Sequence, residues 1–141
     1  ESGTNEFEIV EFSVGPVTYG INVAKVREVI NPVAVTKMPN THPHVEGVFT
    51  LRGKVIPLVN LAKSLGCDQT SDTHKIIVSE LNNYFVGFLV DEVYRIHRIS
   101  WTETETLSNI SNSDMVVLLD FERIVADCNP EMNRKLTTAP Q

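Results

Sequence analysis

The sequence predicts a mainly β protein built from two copies of one small β-rich unit, with short helices between strands. Three observations predict it. Apolar and polar residues alternate over segments of about five to seven residues, the period of half-buried strands. Turn-forming pairs such as Gly15-Pro16, Gly53-Lys54 and Asn82-Asn83 separate neighbouring segments. A hairpin, a connector and an apolar strand running into a helical turn then recur in the same order in the second half.

The run from Glu6 to Val14 alternates, but its phase slips between Ile9 and Val10, so a bulged strand is expected. After Gly15-Pro16, Val17 to Ile21 alternates again and completes a hairpin. Asn22 is placed to cap one or two helical turns, with Val23, Val26 and Ile30 on one face. Pro32, Pro39 and Pro43 break the next stretch into extended pieces and turns. Val48 to Arg52 and Val55 to Val59 flank Gly53-Lys54 as a second hairpin. Pro57 has no N–H, which calls for an edge position or a bulge. Asn60 leads into a helical turn, Leu61 to Leu65, that stops at Gly66, and residues 67–73 are a polar linker.

Beyond the linker, Lys75 to Leu81 and Tyr84 to Val90 flank Asn82-Asn83, and asparagine tolerates positive φ. Asp91-Glu92-Val93 follows as Asn22 to Lys25 followed the first hairpin. Met115 to Leu119 runs into Asp120 to Val125 as Val55 to Val59 ran into Asn60-Leu61. The copies differ in length: Gly20 to Asn60 spans 40 residues and Gly87 to Asp120 only 33. Either the second copy lacks the strand corresponding to 45–52, or residues are absent from the sequence between about 107 and 114. Absence is favoured, because an apolar strand at 115–119 without a neighbour would be an exposed edge.

Composition excludes several classes. At 141 residues the chain is one ordinary domain or two very small ones sharing a core. Hydrophobic residues at 42% and charged residues at 21% exclude wholesale disorder. No apolar run reaches the roughly 18 residues of a membrane span. No signal-peptide pattern follows Glu1, so a cytoplasmic piece of a longer chain is expected. Twelve basic residues stand against 18 acidic ones, without a basic cluster interleaved with aromatics, which argues against nucleic acid as a partner. Cys67 and Cys128 lack C-x-x-C spacing and read as reduced structural thiols.

The motifs of nucleophilic catalysis, of phosphate loops and of zinc proteases are missing from the sequence. His42 and His44 flank Pro43, but no third ligand lies near them in sequence, so a solvated turn is expected there and no metal; His74 and His97 are isolated. Glu103 and Glu105 read as a solvated face, and Asn109-Ile110-Ser111 is set aside as a glycosylation acceptor because no secretory route is indicated. No cofactor is expected. The distinctive segment is Leu51-Arg52-Gly53-Lys54-Val55-Ile56-Pro57-Leu58-Val59-Asn60-Leu61. Its Arg52 either keeps a hairpin tip soluble or offers a planar donor fork to a partner's carboxylate or backbone. Val26 and Glu28 read equally as plain core and plain surface charge.

That segment, with Gly47-Val48 before it, Val86-Gly87-Phe88-Leu89-Val90-Asp91-Glu92-Val93, and Leu118-Leu119-Asp120-Phe121-Glu122-Arg123-Ile124-Val125, resembles the CheW-like coupling domains of bacterial chemotaxis. The likeness runs in order from about Phe7 to Val125. The closing Ala126 to Glu131 is more similar to the CheV branch, in which a phosphoacceptor receiver follows the coupling domain. Asn60 stands where the family more often has Asp. The resemblance implies two intertwined SH3-like five-stranded β-barrels with short helices: a first barrel over about 12–70, a second over about 71–125 with the N-terminal strand, and a linker or tail from 130. It implies a non-enzymatic adaptor between the cytoplasmic tips of transmembrane chemoreceptors and the histidine kinase CheA, located at the receptor array without entering the membrane. Receptor contact would fall to Val26, Glu28, Arg52, Phe85 and Val86. Contact with the kinase regulatory domain would fall to Asn31, Val33, Val35, Lys37 and Met38. A binding module with a small-molecule pocket between the halves is the alternative, and an enzyme a distant third.

Overall fold

The computed structural model describes residues 4–67, 73–102 and 116–128. The strands are β1 (Thr4–Val14), β2 (Val17–Asn22), β3 (Val26–Ile30), β4 (Val45–Leu51), β5 (Lys54–Asn60), β6 (Lys75–Leu81), β7 (Tyr84–Val90), β8 (Glu92–Thr102) and β9 (Val117–Leu118). Helix α1 (Leu61–Ser64) follows β5 and helix α2 (Phe121–Cys128) follows β9. One sheet has the order β8-β1-β2-β9 and the other β3-β6-β7-β5-β4. The protein is mainly β, with two SH3-like barrels whose strands are exchanged.

The exchange follows the internal repeat. Hairpin β1-β2 corresponds to β6-β7, β3 to β8, and β5 with α1 to β9 with α2. Yet β3 pairs with β6 and β8 with β1, both antiparallel. Likewise β5 runs parallel to β7 and β9 parallel to β2. Each copy's first hairpin therefore lies in the sheet completed by the other copy, and the linker at 67–73 divides neither sheet. Gly20 pairs with Leu118 and its counterpart Gly87 with Leu58, so even the registers match. Among the described residues the sheet β8-β1-β2-β9 holds four strands rather than five. The expected counterpart of β4, the gap expected near 107–114, Glu103 with Glu105, and the tail from 130 all lie outside the described residues.

A shared core forms between the sheets. Val10, Phe12 and Val14 of β1 meet Ile77 and Leu81 of β6, Phe88 of β7 and Phe121 of α2. The Phe88 and Phe121 rings stack with centroids 3.9 Å apart, and Phe12 lies 6.0 Å from Phe121. Phe49, Ile56, Leu58, Ile76 and Val78 make a second cluster inside the five-stranded barrel. Strand β6 buries both faces, which is why its sequence reads as a nearly unbroken apolar run.

Several local expectations are corrected. Val10, Phe12 and Val14 share one face of β1 while Ile9 points to the other, against Gly20, so burial on both faces explains the apparent phase slip. The bulge lies further on, where Glu11 faces the extra residue of β8 between Val93 and Ile96. Asn22 does cap, accepting from the Ala24 amide, but only a 3-10 turn over Val23–Lys25 follows. Val26 to Ile30 is strand rather than helix, because three of its five residues are β-branched and β6 offers a ladder. In the second hairpin Arg52 and Gly53 form the turn, with φ of 50° and 81°, and Leu51 pairs with Lys54. Pro57 is on an internal strand. It occupies a non-hydrogen-bonded position of the β4-β5 ladder and precedes the β7 pairing, which starts at Leu58, so no ladder bond needs its missing N–H.

Candidate interaction surfaces

Three of the expected receptor-contact residues converge. Glu28 on β3, Arg52 in the β4-β5 turn and Phe85 on β7 line one cleft of about 320 Å³, with Arg27, Leu51, Lys54, Ile56 and Val78. Arg52 Nη1 donates to Glu28 Oε2. In a flat sheet these strands, separated by β6 and β7, would stand about 14 Å apart. The ion pair therefore spans a closed barrel mouth. A bulge at Arg27, where Val26 pairs with Ser79 but Glu28 with Val78, turns the Glu28 side chain toward it. Lys54 Nζ sits 5.0 Å from the Phe85 ring centroid, a cation–π contact that braces the rim.

The other two residues behave differently. Val26 is half-buried and packs against the shared core. Val86 is only 2% exposed and belongs to that core, so its expected role as a direct receptor contact is corrected: β7 alternation turns Phe85 to the barrel mouth, half-buried against that barrel's apolar cluster, and Val86 into the shared core.

The expected kinase-contact residues lie on one extended segment at the far end of the same barrel. Asn31, Val33, Lys37 and Met38 are exposed, with Val33 at 42% and Met38 at 45%, while Val35 tucks against the barrel interior. Thr36 holds the segment by exchanging two backbone bonds with Val48, 2.8 and 2.9 Å, at the outer edge of β4. Gly47 permits this approach: its φ is 147°, and a Cβ there would lie 2.3 Å from the Thr36 carbonyl oxygen. A shallow depression of about 290 Å³ is lined by Val33, Val35, Lys37, Glu46, Leu58 and Ile76. Along β5 and β6, Ile56 and Val78 face the first cleft while Leu58 and Ile76 face this one. The two residue sets thus occupy opposite mouths of one barrel, with the apolar plug between them.

Near the second mouth Glu46, bulged out of β4, accepts from Asn60 Nδ2 at 2.8 Å and approaches Lys63 Nζ at 3.3 Å. The Asn60 bond, opposed by burial and aided by Lys63, holds the Glu46 carboxyl below its ordinary range. Asn60 Oδ1 meanwhile accepts from the Lys63 amide and caps α1. Asp120, its counterpart, accepts from the amides of Glu122 and Arg123 at the start of α2.

Two features were not read from the sequence. A groove of about 850 Å³ runs between the β3-β4 connection, the β5 strand, the start of β7 and α2; its rim includes Val55, 68% exposed, and Tyr84. The signal was the phase of Val55-Ile56-Pro57, which sends Val55 and Pro57 to the face opposite Ile56. The second feature concerns the histidines. No third candidate ligand lies near His42 and His44 in sequence, but α2 brings the Cys128 side chain, 84 residues away, to 4.0 Å from His44 Nδ1. Ser64 Oγ lies 3.4 Å from the same nitrogen, and His42 Nδ1 accepts from the His44 amide at 3.1 Å. Burial, with His42 and Lys63 nearby, lowers the His44 pKa; burial raises that of the Cys128 thiol, partly offset by a Ser64 hydrogen bond. Neither Cys67 nor Cys128 is in a disulfide.

Comparison with known proteins agrees with this architecture. The family model described as "CheW-like domain" matches residues 8–128. The chain is 35% identical to the chemotaxis protein CheV3 of Helicobacter pylori over 87% of its own length, spanning 48% of that protein. It is 32% identical to the chemotaxis protein CheW of Thermotoga maritima, covering 86% of this chain and 89% of that one. The crystal structure of the scaffolding protein TtCheW from Thermoanaerobacter tengcongensis superposes with a TM-score of 0.70 at 27% identity, covering 82% of this chain and 90% of the other. With its exchanged barrels and a family match over residues 8–128, the chain belongs to the CheW-like domain family.

Proposed function

We propose that this domain is a non-catalytic chemotaxis adaptor that couples the cytoplasmic tips of chemoreceptors to the histidine kinase CheA. One observation carries the reading: Glu28, Arg52 and Phe85 gather at one mouth of the five-stranded barrel, and Asn31, Val33, Lys37 and Met38 lie exposed at the other. An adaptor needs two surfaces that can be occupied together, each with apolar anchors and a charged rim. The first mouth, with its fixed guanidinium and aromatic ring, takes the receptor. The second, with an exposed strand-like segment at a sheet edge, takes the kinase regulatory domain. The names of the relatives, chemotaxis proteins and a scaffolding protein, support this.

The likeness to CheV3, of which the match spans 48%, supports a longer protein in which a receiver domain follows. The site of action is the cytoplasmic face of a receptor array; among the described residues no helix is long and apolar enough to cross a membrane. Co-sedimentation with receptor signalling tips and CheA tests the proposal. The domain brings both down in one complex; recovery of only one partner, or of neither, would refute coupling. The groove beside Val55 and Tyr84 supports a second reading, a small-molecule-binding module, which calorimetric titration against a metabolite panel would favour if a tight ligand emerged.

A further inference from the structure

We propose that His42, His44 and Cys128 form a zinc-binding site that staples the β3-β4 connection to the end of α2. Among the described residues these three form the one cluster of potential metal ligands, with a nitrogen or sulfur from each lying within 4.8 Å of the others. Around a tetrahedral zinc, ligand atoms at about 2.1 Å for nitrogen and 2.3 Å for sulfur stand roughly 3.5 Å apart. Closing the cluster on a metal therefore takes a shift of about 1 Å, within reach of side-chain rotation at His42 and His44.

The donor set selects the metal. Two imidazoles and one thiolate suit a borderline-soft cation, and oxygen-seeking magnesium or calcium would find none of its preferred ligands among the three. The surroundings fit as well. The groove is lined by both His42 and Cys128, giving a route in and a fourth position for water. Ser64, which hydrogen-bonds the Cys128 side chain, stands ready as a supporting donor to the thiolate. The two imidazoles meet edge to face with centroids 4.4 Å apart, so the Pro43 turn already holds them as a pair. On binding, the Cys128 thiol gives its proton to solvent and becomes the thiolate ligand. His42 gives up the bond that its Nδ1 accepts from the His44 amide, a small loss beside three metal–ligand bonds.

The staple joins parts that stand 84 residues apart in the sequence. His42 and His44 sit in the connection that leads from the kinase-facing segment into β4, and Cys128 is the last residue of α2. The site depends on no assumption about chemotaxis partners, so it stands or falls separately from the proposed function.

The test is titration of the reduced chain with cobalt(II), whose thiolate charge-transfer band reports sulfur ligation, followed by displacement with zinc. One equivalent binds with that band, zinc abolishes it, and zinc raises the melting temperature. Cys67→Ser keeps the band, Cys128→Ser loses it, and His42→Ala weakens binding by more than about tenfold. Circular dichroism checks each variant's fold, and half-exposed His42 keeps the test decisive should the buried Cys128→Ser fail to fold. A wild-type chain that gives no thiolate band, or a His42→Ala chain that binds as tightly as wild type, overturns the site.

Discussion

Arg52 holds Glu28 across the mouth of the five-stranded barrel, joining a turn and a strand that the sheet order separates by two intervening strands. The guanidinium remains 69% exposed while the carboxylate is 30% exposed. An exposed pair of this kind adds at most about 1 kcal/mol to stability. Its value is positional: the carboxylate fixes a donor fork whose outer face stays free for a partner.

Arg52→Ala and Glu28→Lys are therefore expected to leave the melting temperature nearly unchanged and to weaken receptor-tip binding by about tenfold or more. The charge swap Glu28→Arg with Arg52→Glu separates pairing from recognition. It restores the ion pair but presents the opposite charge outward, so melting stays close to wild type and binding stays weak. Thermal melts beside a receptor pull-down measure both, and unchanged binding by the two single variants removes the receptor assignment.

Gly47→Ala tests the second mouth without touching an exposed contact. A Cβ at this position would meet the Thr36 carbonyl at 2.3 Å and Val35 Cγ1 at 2.7 Å, at a φ that side chains rarely adopt. The segment 31–38 should detach from β4, with a stability loss of about 1–3 kcal/mol and weaker kinase binding. Amide hydrogen exchange should show Thr36 and Val48 losing protection first.

Asn60→Asp should keep the cap on α1 yet place a carboxylate against Glu46, where the native amide donates. The expected loss near neutral pH is about 1 kcal/mol, shrinking on acidification as the carboxylates protonate. In the native chain the Glu46 pKa is depressed. Its contribution is therefore complete above the unfolded carboxylate pKa and disappears as pH falls through the lower folded value. Denaturant melts over the acid range check the sign: Glu46→Gln should flatten that part of the profile.

Phe85→Ala and Val86→Ala should part company. Val86 fills the shared core, so its truncation destabilises by about 1–3 kcal/mol. Phe85 is half-buried against the barrel's apolar cluster and lines the cleft beneath Lys54, so its truncation costs stability too but adds a loss of receptor binding that Val86→Ala does not share. Equal losses of receptor binding from the two would contradict the assignment of Phe85 to the cleft and Val86 to the shared core.

Much of the fold was legible locally. Alternation marked β1 and β2, apolar runs between turn pairs marked β4 to β7, and Asn22 announced a cap that its side chain does make. The turn Asn82-Asn83 adopts positive φ at both residues, 52° and 70°, as a two-residue hairpin requires. Val26 to Ile30 misled because a spacing of three and four fits a helix face, while the competing strand pattern shows only once β6 lies alongside. Of the candidate sites, the sequence marked Arg52 at a hairpin tip, but nothing in it distinguished Phe85 from Val86 as the cleft residue or joined Cys128 to the histidines.

By itself the sequence determined the periodicities, the turns and the fact of two copies, because these depend on neighbours within a few residues. Only the tertiary structure decided that β3 completes the sheet of β6-β7 and β8 that of β1-β2, since backbone ladders carry no label for their partner. The same barrel closure set Glu28 beside Arg52, and the docking of α2 against the shared core carried Cys128 to His44. Contacts between residues 24 and 84 positions apart are fixed by how buried faces pack, not by any local signal in the chain.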